Sequence, residues 1–131
     1  MDKSSILKAF NAHLMEFLDD CITIFPSNMD LKTAKTFVSG LKKINPKKLI
    51  VTWNQTVTLY RDPIEKGDFS FFEEKDYRED FIKNGYGKDT NDFLKIIENI
   101  KNELKKESES NKKKAIKYVQ NLLKLCDMYF M

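Results

Sequence analysis

Six lysines and one arginine fall within residues 31–61 with no acidic residue among them, a block of +7 in a chain whose net charge is only +3. Ammonium groups at this density can track the phosphates of a polyanion, each contact releasing a condensed counterion. Lys32, Lys35, Lys42, Lys43, Lys47 and Lys48 are the candidate phosphate-binding side chains of the block, and Lys112, Lys113 and Lys114 form a second run. The second run opens a predicted helix, at the end where the helix dipole disfavours cations. The competing reading of both runs is a solvated face, because lysine stems lie along apolar surface while their ammoniums stay in water. Phe37, Trp53 and Tyr60 have ring faces on which bases stack, yet their helical spacing makes them core residues first.

The other reactive side chains do not assemble. His13 is the one histidine and lies off the apolar stripe of its helix, as a surface residue does. Cys21 and Cys126 stand 105 residues apart on apolar helix faces, with no Cys-x-x-Cys partner and no neighbouring histidine. That usage favours a reducing, intracellular compartment. Residues 62–82 hold eight acids and three bases, net −5, which neutralise the basic block within the fold or between copies. Glu73, Glu74, Asp76, Glu79 and Asp80 have neither the spacing nor the glycine of an EF-hand loop, so no metal is assigned. With four glycines the chain carries no glycine-rich phosphate loop and no serine elbow. No catalytic residue and no cofactor is assigned, and the chain is expected not to be an enzyme.

The elements that must position these residues are helices. A length of 131 residues with 41% apolar content suits one domain, residues 1–131, built as an all-α compact bundle of about five to six helices. No run of about 18 apolar residues occurs and residues 1–8 lack a signal-peptide core, so membrane insertion is not expected. Leu7, Phe10, Leu14, Phe17, Cys21 and Phe25 place a first helix over residues 6–25, capped by Ser4 or Ser5 and closed by Pro26. Asp30 caps a second, with Leu31, Ala34, Phe37, Val38 and Leu41 on one face and Gly40 at its fraying end. Asn45-Pro46 predicts the start of a third. Residues 49–60 are rich in β-branched side chains, but Leu49, Ile50, Trp53, Val57 and Tyr60 follow the helical period, which predicts helix rather than strand.

Asp62-Pro63 opens a single turn ended by Gly67-Asp68, and Ser70 with Glu73 forms a capping box for a helix reaching about Lys83, stopped by residues 84–87. Asp89 or Thr90 caps the next helix, lined by Phe93, Ile97, Ile100 and Leu104, before a polar linker at residues 107–110. The last stretch, residues 111–130, has the most regular stripe: Ala115, Val119, Leu122, Cys126 and Tyr129. It is the predicted keystone, and its apolar tip, residues 128–131, is expected to dock.

Three segments, FNAHLMEFLDDCITIFPSNMDLKTAKTFVSGLKKINPKKLIVTW, GDFSFFEEKDYREDF and NKKKAIKYVQNLLKLCDMYF, together resemble a family of short uncharacterised helical proteins. Large nucleocytoplasmic DNA viruses of algae and amoebae encode that family. The resemblance spans most of the chain and rests on the Phe25-Pro26 turn, Asn45-Pro46, GDFSFF and KKAIKYVQNLLKL. It implies a setting, the cytoplasm or virus factory of an infected cell or the virion itself, and transfers no catalytic residue. The expected function is protein-protein interaction with a viral or host protein or with a second copy. The alternative is a nucleic-acid-associated protein that binds phosphates through the two lysine runs.

Overall fold

The computed structural model describes residues 2–68, 70–71 and 88–131. Among them are six α-helices and no strand: α1 (Lys3–Ile24), α2 (Met29–Ile44), α3 (Lys48–Thr56), α4 (Arg61–Lys66), α5 (Lys88–Leu104) and α6 (Glu109–Tyr129). A 3-10 turn, Val57–Tyr60, joins α3 to α4. The chain is thus an all-α bundle, and residues 49–60 are helical throughout, so the 3.6-residue period prevailed over β-branched propensity. Most of the helix predicted from Ser70 to Lys83, its glycine stop and the acids Glu73, Glu74, Asp76, Glu79 and Asp80 lie outside the described residues.

Several helix boundaries differ from those read in the sequence. Asp2, not Ser4 or Ser5, caps α1: its carboxylate accepts the Ser5 amide at 2.7 Å, which also places an anion at the positive end of the helix. Asn28 caps α2 through the Leu31 amide at 3.1 Å, and Asp30 sits inside the first turn. Gly40 ends nothing; α2 runs on to Ile44, and Lys42 and Lys43 occupy its last turn, where cations suit the dipole. Asn45 closes α2, its amide bonding the Leu41 carbonyl at 2.7 Å, so it cannot cap α3, which begins at Lys48. Asp68 accepts the Phe71 amide at 3.3 Å and the Ser70 hydroxyl at 2.5 Å, while Glu73, the other half of the expected capping box, lies outside the described residues. α5 is already helical at Lys88, which puts Asp89 and Thr90 inside it. The polar linker shrinks to a turn, because Ser108 caps α6 through the Asn111 amide at 3.3 Å.

Packing centres on α1 and α6, which run antiparallel: Lys3 reaches the Tyr129 ring at one end, and Phe17 stacks on Tyr118 further along, centroids 5.0 Å apart. Phe10, Leu18, Leu31, Leu49, Ile50, Ile64 and Leu122 are wholly buried, each contributing about 1.5 to 3 kcal/mol through its removal from water. Phe10 meets Trp53 edge to face at 5.7 Å, fixing α3 against α1. Asn11, itself buried, donates its amide to the Pro46 carbonyl at 3.0 Å and ties the α2–α3 turn to the same helix. In α6 the stripe is buried at Ala115, Leu122 and Cys126, as its spacing requires. Of its tip only Tyr129 packs against the core; Met128, Phe130 and Met131 are exposed. No helix among the described residues is long and apolar enough to cross a membrane.

Candidate functional site

The structure divides the nine candidate lysines. Lys42 and Lys43 end α2, Lys47 lies in the turn that follows, and all three are exposed. Lys32 is exposed earlier on α2, whereas Lys35 is committed to Asp19 on α1, Nζ to Oδ1 2.6 Å. Lys48 is half-buried and engaged. The second run opens α6, where Lys113 and Lys114 are exposed and Lys112 lies 3.9 Å from Glu109, an acid of the first turn that offsets the dipole cost. Pro46 sits on Asn11, while Lys114 shares a pocket with Ile24. Those contacts lie about 20 Å apart along α1 at 1.5 Å per residue. The Pro46 end of the block and Lys114 thus stand at different levels of α1, whereas Lys35, through Asp19, comes level with the second run.

His13 is not the surface residue its position suggested. It is half-buried against α6, with its ring 4.8 Å from that of Tyr118 and Nδ1 3.5 Å from Glu16. Tyr118 lies between His13 and Phe17 and donates its hydroxyl proton to Asp20. That hydrogen bond, with burial and the Asp20 charge, pushes the phenol up to about 12, so it keeps its proton at neutral pH. Tyr118 is not among the candidate residues of the sequence; one signal for its role is that Phe17 and Asp20 lie three residues apart on the facing helix.

Both cysteines are buried and unbridged. Burial pushes Cys21 up to about 12 and Cys126 up to about 11, and the Cys126 sulfur lies 3.9 Å from the Ile50 carbonyl oxygen. Since the thiolate is the nucleophile, neither presents one near neutral pH. No group of three His, Cys, Asp or Glu side chains able to hold a metal ion occurs among the described residues.

Two apolar features remain. One is a cavity of about 90 Å³ between α1, the α3 region, α5 and α6, walled by residues that include Phe17, Trp53, Ile100, Leu104, Ala115 and Ile116. Lys101 contributes its stem to the wall and is only 7% exposed; its ammonium is held 2.7 Å from Glu98. The other feature is exposed apolar surface, at Met29 and Ile44 on α2 and at Met128, Phe130 and Met131 where α6 ends, with Met131 92% exposed. Beside that end, Arg61 and Asp127 form a paired hydrogen bond that anchors the last turn of α6 to α4. Comparison of the chain with protein-family models, with curated proteins and with solved structures gives no match in any of the three.

Proposed function

We propose that the protein is a non-enzymatic helical interaction protein, and that a second protein docks where α1 begins and α6 ends. The observation that carries this reading is the exposure of Met128, Phe130 and Met131 beside the anchored Asp127. Methionine and aromatic side chains are the residues protein interfaces favour, since thioethers adapt to a partner's contour and rings bury much area for little lost entropy. A rigid last turn reduces what ordering the surface costs on binding. The resemblance to viral proteins supports an infected cell as the setting, with a role in the virion, in its assembly or in host contact. The inert thiols support a non-catalytic role.

Capture of the tagged full chain from infected cells, run beside the double variant Phe130→Glu, Met131→Glu, tests this reading. A set of proteins retained by the parent and lost from the variant is the expected result. The reading fails if both baits retain the same set.

A second reading has its own observation: Lys32, Lys42, Lys43 and Lys47 are exposed and have no acidic partner among the described residues. They would hold the phosphates of a nucleic acid. Association with duplex DNA and with RNA across a salt series decides it, because each phosphate contact adds about 0.7 to 0.9 to the logarithmic salt slope. A slope near zero removes this reading.

A further inference from the structure

Between α1, α3, α5 and α6 lies a partly open pocket whose wall is almost wholly apolar. Its volume of about 90 Å³ is several times what one water requires, roughly 10 to 15 Å³. Water is held only weakly there, because it needs two to four polar partners and the wall is almost wholly apolar. The Thr56 hydroxyl donates to the Thr52 carbonyl at 2.7 Å, and the Lys101 ammonium is bound to Glu98. The same accounting excludes a charged or strongly polar ligand, whose groups would be buried without partners.

The void is written into the sequence at one position above all. Along the buried stripe of α6, Ile116, Leu122 and Leu123 are large, but the side chain facing the cavity beside Ile116 is Ala115, itself only 5% exposed. A branched side chain there would occupy much of the space. Val57 and Val119 complete the wall with short groups, and Phe17 and Trp53 supply flat ring surface.

We infer that this cavity is a binding site for a small, uncharged, apolar molecule, no larger than about a benzene ring or a short alkyl chain. The site is independent of the docking end, which uses residues of α6 well beyond Ala115 and Val119. An enclosed engineered apolar cavity of about 150 Å³ takes benzene or xenon; the present pocket, about 90 Å³ and partly open, has a similarly apolar wall.

The test uses the full chain with benzene as probe and phenol as its polar near-isostere. Benzene should raise the thermal midpoint saturably, by about 3 to 6 °C at about ten times its Kd, and phenol should give a small fraction of that shift. Intermolecular nuclear Overhauser contacts should run from benzene to the methyl groups of Ile116 and Val119. Ala115→Leu should abolish the shift by filling the site; Ala115→Val, a smaller change, should reduce it and keeps the test decisive if leucine overpacks the core. Three results would overturn the inference. They are the absence of a saturable shift in the parent, an equal shift with phenol, and an undiminished benzene shift in a folded Ala115 variant.

Discussion

Arg61 and Asp127 clasp α4 to α6 through two hydrogen bonds side by side, Nη1 to Oδ2 at 2.6 Å and Nη2 to Oδ1 at 2.7 Å. The guanidinium fork matches the carboxylate, and Glu65 adds a weaker contact at 3.6 Å. Hydrogen bonding to Arg61 holds the Asp127 carboxyl below its ordinary value of 3.8. The exposed tip begins at Met128, the residue directly after Asp127, so the pair sets the orientation of the proposed docking end.

Asp127→Ala should lower stability at neutral pH by about 0.5 to 1 kcal/mol, the upper part of the range for solvent-accessible pairs, given the two-pronged geometry. A depressed folded pKa means that this contribution is present above the unfolded value and lost as pH falls through the lower folded one. Urea melts of parent and variant should therefore differ at pH 7 and converge in acid, once pH falls below the depressed folded value of Asp127. A difference that is unchanged in acid would show that the variant acts through packing instead.

Leu122 is wholly buried in α6, and two residues away Lys124 is exposed. Leu122→Ala should cost about 2 to 5 kcal/mol through the cavity it leaves, while Lys124→Ala should stay within about 0.5 kcal/mol. Denaturant melts measure both. Equal stability of the two variants would mean that α6 is not part of the core.

The two described glycines should respond with opposite sign. Gly40 lies inside α2, and a Cβ built there meets nothing within 4 Å, so Gly40→Ala should stabilise by about 0.5 to 1 kcal/mol. Gly67 closes α4 at φ +68°, in the left-handed region, so Gly67→Ala should destabilise by about 1 kcal/mol or somewhat more. Thermal midpoints shifting in the same direction would contradict one of the two backbone assignments.

Neither thiol should react with an aromatic disulfide reagent at pH 8 in the folded protein, because both are buried and hold their protons well above that pH. Both should react on addition of denaturant. Rapid labelling of either under native conditions would place it at the surface.

The fold was legible where one signal dominated. Residues 49–60 carried a strand-like composition, and the period of Leu49, Ile50, Trp53 and Val57 placed them correctly in the core because burial outweighs intrinsic β preference. Caps were less legible, since Asp2 competes with Ser4 and Ser5, and Asn28 with Asp30, and sequence does not say which oxygen reaches which amide. Asn45-Pro46 misled because the same asparagine was needed to end α2.

The lysine block was visible as charge. Which of its lysines is committed depended on the Lys35–Asp19 pair between α2 and α1, which no local pattern contains. The Ala115 pocket was invisible for a related reason: a pocket depends on how four helices come together, and an alanine in a regular stripe reads as any other core position.

The claim that a second protein docks on the end of α6 is tested most directly by site-specific photo-crosslinking in infected cells. A photoreactive amino acid replaces Phe130 in one version of the full chain and Lys117, on the exposed polar side of the same helix, in another. A discrete protein adduct from position 130 with none from position 117 is the predicted result. Adducts of equal yield from both positions, or no protein adduct from position 130, would contradict it.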